Sequence, residues 1–238
     1  MGVEKAVLLA AGRGTRLGAL TENYPKALLT VGGRPVIVHI LDGLARAGIR
    51  EVFIVTGHAA EVLETELGNG AGSEISLSYV RQESLLGTAK ALQLARDWVG
   101  DERFYVGWGD ILVRPANYRR LVAASRLADA AIAVNEVDDP SAGAAVYTDA
   151  AMRIERIIEK PPPGTSTTRW NNSGLWVVGP AIWPEVERLE PSRRGEYELP
   201  QALAAWVASG ADVRAVPVEG PWFDVGTPEA LEAARVGW

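Results

Sequence analysis

No cysteine occurs among the 238 residues. Disulfides, thiolate zinc sites, iron–sulfur ligation and cysteine nucleophiles are excluded together. Histidine is almost as scarce: His39 and His58 are the only two. They share no pattern, and no GxSxG run stands in the chain, so zinc hydrolases and Ser/His hydrolases are weak candidates. No run of 18 apolar residues is present, and no membrane span is expected. Positive charge is not in excess either. The 24 basic and 30 acidic residues leave a formal net charge of -6, which argues against nucleic acid or anionic membrane as a partner but permits a local basic pocket. The opening MGVEKAVLLAAG is too short in apolar residues for a signal peptide, and Ala6 stands where myristoylation wants Ser or Thr. A soluble, cytoplasmic protein is the expectation.

What is there is ordinary globular material: 47% hydrophobic and 23% charged residues, enough to bury a full core in one or two domains. Val3 to Ala10 reads as a buried strand. Residues 35–47 set Val36, Ile37, Ile40, Leu41 and Leu44 on one helical face, with Gly48 as the stop. Strands at 51–56, 74–81 and 103–108 alternate with helices near 59–67 and at 86–98, the rhythm of βαβ units around a parallel sheet covered on both faces. After Asp110 the rhythm changes. A helix from Pro115 to about 126 precedes strands at 129–137, 143–148 and 153–158, and 161–170 is a loop rich in Pro, Gly, Ser and Thr. A strand at 172–178, helices near 180–189 and 199–208 and a strand near 212–218 follow. Thr227 as N-cap, Pro228 at the first position and Glu229 in the first turn open a last helix. A single α/β domain over 1–238 is expected, with no repeats; no hexapeptide repeat follows Asp224, so no fused acetyltransferase is expected.

The chemistry concentrates in LLAAGRGTRLGALTENYPKALL, residues 8–29. A buried strand runs into glycines 12, 14 and 18, with Arg16 inside the turn and Lys26 ten residues later. Glycines let backbone N–H groups approach an anion, and successive N–H groups form a positive cradle. Arg16 adds a forked donor and Lys26 a point charge. A Rossmann dinucleotide site fails, because Pro25 interrupts the expected helix and the second strand ends Thr56-Gly57-His58 without an acid. A Walker A loop lacks its Gly-Lys-Ser/Thr. A phosphate loop of another kind is left.

That stretch resembles the glycine-rich loop of the sugar-1-phosphate nucleotidylyltransferases, whose pattern is roughly L-A-A-G-x-G-T-R-L followed by P-K. Four further segments agree in order: Gln82 with Leu85 to Leu92, Gly109-Asp110, Glu159-Lys160-Pro161, and Trp222 to Thr227. Only lysines 5, 26, 90 and 160 occur among the 24 basic residues, and two of them fall where the family uses lysine on phosphate. The resemblance implies a Rossmann-like, mostly parallel sheet flanked by helices on both faces, of the nucleotide-diphospho-sugar transferase type. It places nucleotide binding mainly in 1–110 and sugar-phosphate binding mainly in 111–238.

The resemblance also implies the site. Leu9, Ala10, Ala11, Gly12, Gly14 and Thr15 would hold the triphosphate, while Gln82, Gly87 and Thr88 would read the base, UTP or dTTP being favoured over GTP. Arg16 would stabilise the departing pyrophosphate, Lys26 would contact the reacting phosphates, and Lys160 would bind the phosphate of the sugar. Gly143, Glu159, Asn172 and Gly174 would contact the sugar. Asp110, at the carboxyl end of FYVGWGD, and Asp224 would ligate Mg2+, the hard cation that carboxylates and phosphates prefer. Attack of one anion on another needs positioning and charge neutralisation and no protein nucleophile. The small-molecule partners are then a nucleoside triphosphate and a sugar-1-phosphate, and a homo-oligomer is the expectation that the family's habit of assembly suggests. Departures cluster in the second half: Ala142-Gly143 where Tyr-Gly is common, Trp176 for a tyrosine or phenylalanine, Pro200-Gln201 for Thr-Asp. Two alternatives stay open: a phosphocholine cytidylyltransferase of the same fold, since aromatic boxes bind quaternary ammonium, and an inactive nucleotide-sugar-binding paralogue.

Overall fold

The computed structural model describes residues 2–70, 74–192 and 194–238. Among them, nine strands form one central sheet. Its spine is β1 (Lys5–Leu9), flanked by β4 (Glu51–Thr56) and then β5 (Ser76–Arg81) on one side, and by β6 (Phe104–Trp108) on the other, all parallel. Beyond β6 lies β11 (Trp170–Val178), which runs the opposite way and pairs with both β8 (Ala130–Glu136) and β9 (Ala144–Thr148). The outermost strands are β10 (Ile154–Glu159), antiparallel to β9, and β12 (Val213–Pro217), parallel to β8. Only β10 and β11 therefore run against the others, and the sheet is mixed but mostly parallel, as expected.

The strands are apolar on both faces because both faces are covered. Along β1, Ala6 and Leu8 point into one core and Val7 and Leu9 into the other. The first core is closed by α1 (Val36–Arg46), α2 (Ala60–Leu67), α5 (Ala116–Ala124) and α8 (Pro228–Gly237), through Ile40, Leu63, Leu121 and Leu231 among others. The second lies under α3 (Thr88–Gln93), α4 (Arg96–Val99), α6 (Trp183–Glu187) and α7 (Leu199–Ala208). Trp183 stacks on Phe104 at 5.5 Å and Trp98 leans on Phe53 at 5.1 Å. These two indoles and Trp206 belong to that helical layer and build no aromatic box.

Several local readings need correction. The helix expected over 86–98 is two pieces, α3 and α4, because the chain turns at Leu94 and Ala95. The helix expected over 180–189 is a 3-10 turn followed by the five residues of α6, since Pro184 withholds an N–H. A small hairpin, β2 (Thr30–Val31) with β3 (Arg34–Pro35), and a second ladder, β7 (Ile111–Val113) with β13 (Trp222–Asp224), carry too little pattern to be read from sequence. The last helix begins as expected: the Thr227 hydroxyl accepts from the backbone N–H of Ala230 at 3.2 Å.

From β1 the chain goes on to β4 on one side, and from neighbouring β6 it goes on to the strands on the other side. This divergence opens a crevice at the carboxyl ends of β1 and β6, where open α/β sheets place their ligands. Among the described residues, no helix is long and apolar enough to cross a membrane.

Candidate active site

The glycine-rich turn follows β1 into this crevice. Gly14 has φ +65°, a left-handed value that favours glycine, and its carbonyl accepts from the Leu17 N–H and the Thr21 hydroxyl. The turn continues as a 3-10 segment, Thr15–Thr21, kinked at Gly18, instead of a regular helix. His58 reaches the same segment through Nε2 to the Thr21 carbonyl at 2.7 Å, and His39 bonds the Val31 carbonyl at 2.9 Å, so both histidines are engaged with backbone. A side chain on Gly57, just past the end of β4, would meet the Ala11 carbonyl at 2.6 Å, so no larger residue fits there.

At the floor stand two carboxylates. The β7–β13 ladder sets Asp224 opposite Ile111, and the Val225 N–H donates to the Asp110 carbonyl at 3.0 Å. Asp110 is buried and forms an ion pair with Lys26, while the Arg16 guanidinium and the Asp224 carboxyl flank the space where a Gly226 side chain would project. Burial, together with the charge of Asp110, pushes the Asp224 carboxyl up to about 6. Burial by itself would lower the Lys26 ammonium, but the charge of Asp110 and its hydrogen bond raise it above its ordinary value.

The Asp110 Oδ1 atom is buried with no hydrogen-bond partner, an unusual state for a charged oxygen and one that a cation would relieve. No cluster of three or more His, Cys, Asp or Glu is found among the described residues. Two hard carboxylates with room for phosphate oxygens fit magnesium, which takes one or two protein carboxylates and fills its other positions with water and phosphate.

The crevice widens into a cleft of about 890 Å3. Leu9, Ala11, Gly12, Arg16 and Lys26 line its first end, with Gln82, Gly87 and Thr88 on an adjoining wall. The other end holds Gly143, Glu159, Lys160, Asn172 and Gly174. Ala10, Gly14 and Thr15 do not line the cleft; Ala10 is buried where a Gly109 side chain would touch its Cβ at 3.0 Å, and Thr15 is exposed elsewhere on the turn. Gln82 is buried, its Nε2 donating to the Gly87 carbonyl at 3.2 Å. Gly87 itself has φ +106° and no room for a side chain, since Tyr197 backbone lies 2.5 Å from the position a Cβ would take. The Thr88 hydroxyl accepts from the Leu199 N–H at 2.9 Å and so opens α7.

Sequence reasoning missed one group of this cleft. Arg194 and Glu196 line it, on the segment that leads to α7. Arg194 bonds Glu198, which stands 3.8 Å from Lys160; Glu159 is 3.5 Å from the same ammonium. Burial and hydrogen bonding with Glu198 push the Glu159 carboxyl up to about 7. Glu198 moves the opposite way: burial would raise it, but Arg194 and its other hydrogen-bond partners hold it below its ordinary value. The run Arg-Gly-Glu-Tyr-Glu at 194–198 was the available signal. Lys160 has φ +44°, a strained left-handed value for a lysine, and its N–H donates to the Gly143 carbonyl at 2.8 Å.

The model of the nucleotidyl transferase family matches residues 5–237. The chain is 35% identical over 236 residues to the low-salt glycan biosynthesis nucleotidyltransferase Agl11 of Haloferax volcanii, covering 97% of this chain and 65% of that one. It is 34% identical over 237 residues to the UTP–glucose-1-phosphate uridylyltransferase AglF of the same organism, covering 97% and 95%. A solved structure described as a putative glucose-1-phosphate thymidylyltransferase from Bacillus anthracis superposes with a TM-score of 0.88 at 28% identity, over 98% of this chain and 94% of that one. The chain belongs to the sugar-1-phosphate nucleotidyltransferase family. It spans about two-thirds of the length of some of the relatives it matches.

Proposed function

We propose that the chain, as one domain, transfers a uridylyl or thymidylyl group from UTP or dTTP to a sugar-1-phosphate, with magnesium, releasing pyrophosphate. The convergence of Asp110, Asp224, Arg16 and Lys26 beside the glycine-rich turn carries this reading. An oxygen of the sugar phosphate attacks the α-phosphorus; the bond to the β-phosphate breaks and its electron pair leaves with pyrophosphate. Lys26 neutralises charge at the reacting phosphates and Arg16 at the leaving group. Lys160, joined by Arg194, holds the phosphate of the acceptor. Asp110 and Asp224 would hold the magnesium ion, which when bound neutralises charge on the phosphate oxygens.

Base choice rests on Gln82. With Nε2 engaged by the Gly87 carbonyl, Oε1 is left to accept from the N3–H of uracil or thymine, and a neighbouring backbone N–H is left for the adjacent carbonyl. Cytosine presents the reverse pattern at this edge. Guanine offers the same pair on a larger ring, so GTP is the control that matters. At the far end Gly143, Glu159, Asn172 and Gly174 form the sugar subsite, and the similarity to AglF, a glucose-1-phosphate uridylyltransferase, supports a hexose there.

The experiment is a crossed panel of UTP, dTTP, GTP and CTP against sugar-1-phosphates and phosphocholine, with magnesium, read as pyrophosphate release. Release with UTP or dTTP and a hexose-1-phosphate is expected. Release only with CTP and phosphocholine, or none with any pair, overturns the proposal.

A further inference from the structure

In a regular strand, Asn172 and Trp176 would stand about 13 Å apart, four residues at ~3.3 Å each. In β11 they touch. The pairing of β11 with β8 slips between Asn172 and Trp176, and Gly174 inside the slip has φ +78°. Such an irregularity bends a strand and re-aims its side chains. Here it brings the Trp176 indole Nε1 to 2.7 Å from Asn172 Oδ1, which also accepts from the Gly174 N–H at 3.1 Å. Trp176 is wholly buried and meets Trp108 edge-on at 5.4 Å, and a side chain on Gly174 would collide with Ile111. The indole is therefore a fixed donor.

An amide oxygen has two lone pairs, and both are taken. Turning the amide over would bring its NH2 against two N–H donors, so only one orientation is satisfied. Its Nδ2 end is left facing the cleft that Asn172 lines. Neighbouring Asn171 differs: Oδ1 accepts from the Ala144 N–H, and Nδ2 donates to Asn135 Oδ1 and the Asn172 carbonyl. Asn171 is spent on the sheet; Asn172 is held ready.

Resting on the sugar-nucleotidyl reading above, we infer that Trp176 is a positioning and specificity-determining residue. By locking Asn172 as a donor, it makes the sugar subsite select a sugar-1-phosphate that presents an acceptor oxygen there, a ring hydroxyl or the carbonyl of an acetamido group. Glu159 lines the same cleft, so the donor of fixed sense in this subsite is the Asn172 amide.

The test is a set of hexose-1-phosphates with each ring hydroxyl replaced in turn by hydrogen, fluorine, amino or acetamido. In the wild type, one position should lose at least 10-fold in kcat/KM, mainly through KM, when hydrogen or a protonated amine replaces the hydroxyl, and fluorine should restore part of the loss. Tolerance of acetamido at that position marks the carbonyl as the source, and its rejection marks the hydroxyl. In Trp176→Phe, which removes the indole N–H together with part of the buried ring, that penalty should shrink below 3-fold, with kcat on the parent sugar within 3-fold of wild type. An undiminished penalty in a folded Trp176→Phe overturns the inference. A second arm does not depend on turnover. The indole 1H–15N resonance lost in Trp176→Phe should exchange slowly and shift in Asn172→Leu; an unmoved resonance sinks the proposal. Absence of turnover with every pair would refute the transferase reading alone, since the spectroscopic arm still decides the amide lock.

Discussion

The backbone N–H of Val225 donates to the carbonyl of Asp110 at 3.0 Å. That bond ends the short β7–β13 ladder and sets Asp224 next to Asp110, so two carboxylates far apart in sequence share one floor with Lys26 and Arg16. Much of the apo protein's local electrostatics follows from this crowding, and so do the variants that separate stability from chemistry.

Arg16 is exposed on the turn and supports no core. Arg16→Ala should lower kcat by about 100- to 1,000-fold, the scale for loss of one preorganised charge stabiliser. Its unfolding free energy should stay within about 0.5 kcal/mol of wild type. Pyrophosphate release and thermal melts measure the two.

Lys26→Met strands the buried Asp110 carboxylate without its counter-ion. A loss of about 3–5 kcal/mol is expected in the metal-free protein. Adding Asp110→Asn should recover much of that stability while leaving turnover abolished. Denaturant titration of the two single variants and the double variant yields the coupling directly.

Glu159, pushed up to about 7 by burial and by Glu198, favours the folded state while protonated. That contribution is complete below the ordinary value near 4.5 and is lost as pH rises through about 7. Glu159→Gln should therefore gain stability over wild type between pH 5 and pH 8, on the order of 1–3 kcal/mol. Melting curves across that range would show the difference opening with pH; a constant offset would contradict the assignment.

Removing divalent metal with a chelator should abolish turnover. Added magnesium should restore it in the wild type, but not in Asp224→Asn. Calorimetric titration of magnesium with UTP into each protein supplies the corresponding binding readout.

Gly43 offers a contrast away from the cleft. It lies in α1 against the Tyr118 ring, where a Cβ carbon would collide with buried ring carbons. Gly43→Ala gains about 1 kcal/mol in helix propensity but should lose more to overpacking, for a net loss of about 1–2 kcal/mol. KM for both substrates should be unchanged.

Chain-local physics was legible without coordinates. Continuous apolar runs such as Val7 to Leu9 and Phe53 to Val55 mark strands buried on both faces, and the 3.6-residue spacing of Val36, Ile40 and Leu44 marks α1. Thr227 and Pro228 announce α8, and the glycines near Arg16 announce a turn with left-handed backbone. Ladders of two or three residues were not legible, because so short a run has no period to detect. Nor was the break between α3 and α4, because neither Leu94 nor Ala95 is a breaker residue.

Sequence by itself determined which side chains can do chemistry: with no thiol and only two histidines, arginines, lysines and carboxylates around phosphate were what remained. Tertiary structure decided which of them meet. The slip in β11 that turns Asn172 toward the Trp176 indole and the ladder that joins Asp224 to Asp110 depend on strand register, while the placing of Arg194 and Glu198 beside Lys160 depends on α7 packing against β10. Register is fixed by pairing between distant segments once the core is buried, and no local spacing encodes it.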